Sequence, residues 1–434
     1  MFLIDRLVCW IFPKELSIPL GFHRSVVSLI GIQLVAYFAI VIRNGTIAAM
    51  LSLEFLGQLA VMFSYAKLVS LVFGMGWPQL LLRDVASNRD HQMMQKMLLS
   101  RSLFVTLGSL GATTVIGYGL CQLLGWPVSP LLWMACLMAA MTICVSLFGA
   151  VMEGLGHVLT SRILTGVGRP LIVIIAVALM SVLGTNALMT GYFLAQGAYV
   201  AAFVIVAIWL GARMSLGAEI SPVHHRGRFS VENLQVLAIS GFNVLILTAD
   251  VLVLQIYEPM ATVGSYSIVV TLMSLVGIGM GAVNSLFLPH YGHALRKNDW
   301  PAASAMFATS RRISSLWSVC AVVVLVMTVF AAGPVLGIDE AFHAAPAIIL
   351  FLGLGHVVNA MTGPNTNSLF VEGKTRYIAL SLGAAALLNI IGNFLLIPMY
   401  GVLGAAISTG FSVSFIHLVQ FRYAKQTSQI HVRR

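Results

Sequence analysis

Three charged residues stand in stretches that otherwise exclude charge. Arg43 falls inside SVVSLIGIQLVAYFAIVIRNGTIAAMLSL (25–53), Lys67 inside LEFLGQLAVMFSYAKLVSLVFGMG (53–76) and Asp250 inside LILTADVLVLQIY (245–257). A guanidinium and an ammonium together suit an anion. A carboxylate in such surroundings can carry a proton or sodium ion, or pair with one of the cations. The basic groups outnumber the acid, and that favours an anionic ligand over a cationic one.

The elements that must position them follow from composition. Of 434 residues, 59% are hydrophobic and 9% charged, with mean hydropathy +0.95. Such a chain cannot cover a water-facing surface, so its solvent is lipid. A ruler of about 20 apolar residues predicts spans near 26–52, 58–82, 98–122, 129–152, 167–185, 187–211, 234–256, 261–288, 313–336, 344–370, 376–398 and 402–421. Nothing alternates with the ten-residue rhythm of a membrane barrel, so the fold class is an all-α polytopic membrane protein with twelve transmembrane helices. With both termini inside, the inner segments hold 22 of the 24 basic residues and the outer loops none, as the positive-inside rule requires. Arg162 and Arg169 are counted there in one inner loop. The two cations left over are Arg43 and Lys67, and a charge at a helix centre costs at least ~2.5 kcal/mol, so each needs a cavity or a partner. Lys67, nine residues into span 2, lies ~14 Å deep. Arg43 either faces the interior or ends span 1 at the interface, snorkelling outward.

The chain resembles itself across a central stretch richer in His, Arg and Ser. LEFLGQLAVMFSYAKLVSLVFGMG (53–76) parallels EPMATVGSYSIVVTLMSLVGIGMG (258–281), with Gly57 and Gly264 matched at an offset of 207. Six spans per half enter the membrane in the same direction, so the two six-helix lobes are related by a pseudo-twofold along the membrane normal. The same offset carries Arg43 onto Asp250, and a pair so related can face each other across a cavity. The organisation is a cytoplasmic N-terminal interfacial segment (1–24), an N-lobe (25–211), a linker (212–233), a C-lobe (234–424) and a cytoplasmic tail (425–434). The N-terminus has neither the basic start nor the cleavage site of a signal peptide. RDVASNRDHQMMQK and HALRKNDWPAASAMFATSRR, after spans 2 and 8, suit the inner leaflet of anionic lipid.

Three stretches in order resemble the Wzx-like polysaccharide flippases of the multidrug/oligosaccharidyl-lipid/polysaccharide (MOP) exporter superfamily: 51–86, 249–276 and, most diagnostic, NIIGNFLLIPMYGVLGAAISTG (389–410). The resemblance covers most of the chain. It implies a V-shaped MOP/MATE-like transporter that moves undecaprenyl-pyrophosphate-linked oligosaccharide from the cytoplasmic to the periplasmic leaflet of a bacterial inner membrane, for O-antigen, capsule or exopolysaccharide assembly. The implied partners are that glycan lipid, membrane lipids, a polysaccharide polymerase and a chain-length regulator. For this cargo Arg43 and Lys67 are the pyrophosphate-binding residues. Gln33, Asn44, Asn243, Gln255, Asn284, His356, Asn359, Asn365 and Asn367 are candidates for a polar, glycan-binding lining. Asp250 is the candidate for ion coupling or a gate. Gly363-Pro364 should break span 10, Asn389 and Asn393 can bond across helices, and His157 and His417 read as interfacial.

Other classes fit less well. A drug/cation antiporter of the same superfamily wants carboxylates in its cavity, and a lipid II-type flippase usually has two more helices. The outer loops are short, with no catalytic cluster and no P-loop, so no enzyme is expected, and energy comes from a proton or sodium gradient or from removal of product. The five scattered cysteines have no metal-ligand spacing and no cofactor is expected. The +10 charge is dispersed in loops, against nucleic-acid binding.

Overall fold

The computed structural model describes residues 20–74, 103–112, 130–183, 188–213, 231–336 and 344–427, with a few positions between 77 and 118. These residues contain helices and turns but no strand, because lipid leaves backbone groups only their own helix to bond to. In chain order the longer described helices are α1 (Leu20–Met50), α2 (Leu53–Gly74), α3 (Pro130–Gly154), α4 (Val158–Ile163), α5 (Arg169–Leu183), α6 (Leu188–Arg213), α7 (Val231–Ile246), α8 (Ala249–Tyr257), α9 (Met260–Arg296), α10 (Trp300–Leu336), α11 (Ala345–Thr362), α12 (Asn365–Val371), α13 (Thr375–Tyr400) and α14 (Val402–Thr427). Ten described helical runs are long and apolar enough to cross a membrane, and shorter apolar helices, Leu103–Ala112 and Leu194–Val206, stand at the remaining two expected spans. The chain is a multi-pass, all-helical membrane protein. Most of the N-terminal segment, the linker and the end of the tail lie outside the described residues, as does most of RDVASNRDHQMMQK.

Several boundaries differ from expectation. α2 begins at Leu53, five residues early, because the turn at Leu51–Ser52 is tight and the Ser52 hydroxyl accepts from the Phe55 N–H at 3.0 Å. Lys67 is therefore ~21 Å along its helix, not ~14 Å. The segment after span 8 is no separate leaflet helix, since α9 and α10 are joined by a short turn at Lys297–Asp299 and Trp300 already starts α10. Among the described cysteines, Cys136 and Cys144 are half-buried and Cys320 is exposed.

The largest difference is in span 5. α4, a π-helical turn (Leu164–Gly168) and α5 run on without a gap from Val158 to Leu183. Pro170 removes one backbone donor and crowds the preceding turn; the wider π turn directly before it accommodates both. Arg169, like Arg162, thus belongs to a continuous helical run long and apolar enough to cross a membrane, not to a separate loop.

Contact density divides the chain into two compact units. One comprises Phe38–Gln255 and Pro259–Gly264; the other holds the remaining described residues. In the first unit, α2 and the start of α9 cross backbone to backbone. A β-carbon on Gly57 would fall on the Met260 carbonyl oxygen, and one on Gly264 would fall on the Leu53 carbonyl oxygen. Met260 and Gly264 stand 207 positions after Leu53 and Gly57, so the contact is its own mirror under the repeat, and a local twofold passes between the two glycines.

In the second unit α11 stops at Thr362, Gly363 takes φ +90° and α12 restarts at Asn365. The break at Gly363-Pro364 is present, but its carbonyls are satisfied locally: the Asn365 Nδ2 donates to the Thr362 oxygen at 2.8 Å. Between α13 and α14, Asn389 donates to Thr409 Oγ1 at 3.0 Å, Asn393 donates to Asn389 Oδ1 at 3.2 Å, and the Ser408 hydroxyl bonds the Asn389 carbonyl at 2.9 Å. Asn389 joins the two helices, while Asn393 bonds along α13 to Asn389.

Candidate anion site in the first unit

Arg43, near the end of α1, is half-buried and held by its neighbour. Its Nε and one terminal nitrogen both donate to Asn44 Oδ1, at 3.0 and 2.7 Å. Asn44 itself is buried. The Arg43 guanidinium also lies 5.9 Å from the centre of the Phe63 ring on α2. Arg169, at the first position of α5, lies 5.5 Å from the same ring. Its Nε donates to Gln196 Oε1 on α6 at 3.0 Å. One aromatic ring thus serves two guanidiniums, each gaining from the negative π face about 0.5–2 kcal/mol.

The supporting residues come in helical pairs one turn apart. Phe63 and Lys67 share a face of α2, and Tyr192 and Gln196 share a face of α6. Tyr192 is buried, packs edge-on to Phe63 with centroids 6.3 Å apart, and lies within electrostatic range of both arginines. Lys67 has an exposed side chain within electrostatic range of Asp250, Arg169 and Arg43. Among the described residues no ion pair within 4 Å is made by Arg43, Lys67 or Arg169. Both arginines are held by neutral amides, which satisfy some N–H donors and leave the charges uncancelled.

Asp250 is buried at the start of α8, where span 7 is interrupted by a turn at Leu247–Thr248. Its Oδ1 accepts from the Val251 N–H at 2.8 Å. Arg43 bonds Asn44, and Asp250 lies within electrostatic range of Lys67.

The remaining candidates divide. Gln255 donates to the Tyr65 hydroxyl at 2.6 Å and Asn243 bonds back to the Ile239 carbonyl at 3.0 Å, both in the first unit. Gln33, Asn284, His356, Asn359, Asn365 and Asn367 belong to the second unit; Gln33, Asn284, His356, Asn359 and Asn367 are half-buried, while Asn365 is fully buried. The first unit therefore gathers Arg43, Asn44, Lys67 and Asp250, and adds Phe63, Arg169, Tyr192 and Gln196, which sequence reasoning missed. No set of three metal-ligating side chains occurs among the described residues.

No protein-family profile matches the chain, and no curated protein matches it. Solved structures do. The MATE multidrug transporter DinF-BH, in complex with R6G, superposes with TM-score 0.63 at 12% identity, over 96% of this chain and 97% of that one. The lipid II flippase MurJ, in an inward closed conformation, gives 0.61 at 14% identity, over 94% and 89%. A MOP superfamily transporter from Pyrococcus furiosus, described as having a binding pocket of reverse polarity, gives 0.60 at 12% identity, over 92% and 94%. At these identities the likeness is one of fold: the chain has the MATE/MOP transporter fold.

Proposed function

We propose that the chain is a flippase that carries undecaprenyl-pyrophosphate-linked oligosaccharide from the cytoplasmic to the periplasmic leaflet of a bacterial inner membrane, by alternating access coupled to an ion gradient. Surface polysaccharide is the end product, whether O-antigen, capsule or exopolysaccharide. A polymerase and a chain-length regulator act next, and both termini are cytoplasmic.

The observation that carries this reading is the charge of the site. Arg43, Lys67 and Arg169 gather in one unit of a transporter fold with Asp250 as the acid acting on Lys67. The pyrophosphate of a glycan lipid, a diester, brings two negative charges, and charge-assisted hydrogen bonds to guanidinium are its natural complement. A drug/cation antiporter requires the opposite polarity.

Deleting the gene and examining surface glycans tests the reading. One glycan should disappear and return with the wild-type gene, but not with Arg43→Ala, Lys67→Ala or Arg169→Ala. Normal glycan with all three variants refutes the anion-binding role.

A further inference from the structure

The second unit contains a polar arrangement that the cation cluster does not use. α11 and α14 touch where a β-carbon on Gly355 would stand 3.0 Å from the Gly410 carbonyl oxygen, and one on Gly410 would fall on the Phe351 carbonyl oxygen. Seven residues further along α14, about two turns, His417 returns to the Gly410 face. Three residues beyond it, Gln420 accepts from the Thr366 hydroxyl on α12 at 2.5 Å and donates to Ser381 Oγ on α13 at 2.9 Å. His417 is therefore bracketed by contacts with the two helices on either side of the Gly363-Pro364 break. His417 is half-buried where these helices pack.

Three buried polar atoms in this region have no hydrogen-bond partner among the described residues: Ser412 Oγ, His417 Nδ1 and Asn365 Oδ1. Asn365 is completely buried. Buried polar side-chain atoms are mostly satisfied, so a pair of orphans on adjoining helices, one able to donate when protonated and one able to accept, marks a place for a proton or proton-bearing water. His356, on α11, lies within electrostatic range of His417. The other titratable or charged groups on the packed helices are Arg311, Arg312 and Cys320 of α10, the β-carbon of Arg311 abutting Gly363; Arg376, Tyr377 and Tyr400 of α13, the Tyr377 hydroxyl donating to the Val419 carbonyl; and Arg422, Tyr423 and Lys425 further along α14. Helices α10 to α14 contain no Asp or Glu, and the carboxylate directly after α12, Glu372, is paired with Lys374 at 2.7 Å. Imidazole is the side chain whose charge changes near neutral pH.

We propose that His417 and His356 form a proton-carrying pair at the break in span 10, so that one proton is bound and released there in each transport cycle. Protonation turns Nδ1 into a donor on the helix packed against the one that carries an unsatisfied acceptor, Asn365 Oδ1, and places a positive charge where α14 packs on α11 and α12. The site is separate from Arg43, Lys67 and Arg169. The proposal rests on the flippase reading for its cargo.

Full-length protein reconstituted in liposomes containing the pH dye pyranine tests it, with undecaprenyl pyrophosphate as the probe lipid and probe binding measured separately in detergent. The wild type should move protons when the probe lipid is present. His417→Gln should lose proton movement at least ten-fold with probe affinity unchanged, and His356→Gln and Asn365→Leu should each reduce it several-fold. Thermal unfolding identifies a variant that has lost its fold, in which case the other two decide. Wild-type proton flux in all folded variants overturns the proposal. If the wild type binds the probe and moves no protons, the proton site is wrong and the flippase reading stands. If it does not bind the probe, the flippase reading fails and this proposal fails with it.

Discussion

Gly57 and Gly264 touch across a local twofold, each pressed against the carbonyl that begins the other's first helical turn. The contact joins repeat-equivalent positions, 207 residues apart, and neither has room for a β-carbon. Small residues that let backbones approach are the usual basis of helix association in lipid. Here the repeat makes the requirement reciprocal.

Gly57→Val or Gly264→Val should force α2 and α9 apart at this crossing, at about 1–3 kcal/mol. The expected outcome is a lower unfolding temperature and lost transport with normal membrane insertion. Because both substitutions strain one contact, the double variant should cost less than the sum of the singles. Additive losses in thermal unfolding would show that the glycines act independently.

Removing one cation from the site should weaken pyrophosphate binding in detergent by about 1.5–3 kcal/mol, roughly ten- to more than hundred-fold. Arg43→Ala, Lys67→Ala and Arg169→Ala are the tests, by titration with inorganic pyrophosphate. Arg169→Lys should recover only part of the loss, since an ammonium cannot make the same planar set of contacts with ring and amide.

Phe63 supports two arginines at once. Phe63→Leu keeps the bulk and removes the π face, and should weaken pyrophosphate binding by about 1–3 kcal/mol if each guanidinium loses a cation–π contact. In an Arg169→Ala background the same change should cost about half as much. An equal cost in both backgrounds would assign the ring to packing alone.

Gln196→Glu is nearly isosteric and turns Arg169's neutral acceptor into a counter-ion. Pyrophosphate affinity should fall more than in Gln196→Ala, because the glutamate cancels the charge that the amide only orients. Equal losses would place Arg169 outside the anion's reach.

Asp250→Asn removes the negative charge that acts on Lys67. Pyrophosphate should bind several-fold tighter in detergent, and the gain should vanish in a Lys67→Met background. Weaker binding in Asp250→Asn would mean that the carboxylate orders the turn at Leu247–Thr248 rather than balancing charge.

What could be read from the residues was whatever leaves a period or a contrast. Apolar length located the spans, Arg43, Lys67 and Asp250 stood out against neutral surroundings, Gly363-Pro364 announced its break, and the Gly57/Gly264 match anticipated two positions that touch. Arg169 was obscured by its position near the edge of expected span 5, where it was counted with Arg162 among the inner basic residues; only backbone geometry reveals that a π turn carries one helix through both. Phe63 and Gln196 were invisible for a different reason, since an aromatic or an amide in an apolar helix has no local signature of what it touches. Asp250 stood out as a charge, but its closeness to Lys67 had no signal in the sequence, because sequence separation does not fix side-chain reach.

The π turn before Pro170 has a genetic consequence. It holds one residue more than an α-helical turn would, so losing a single codon between 164 and 168 would rewind it. The wide turn absorbs that residue, so the flanks would keep their facing and Arg169 would stay beside Phe63 and Gln196; a codon lost from the regular helix on either side would instead rotate one flank against the other by about 100°. The chain can thus shed a residue between 164 and 168, and not next to it, without moving the third cation of the site.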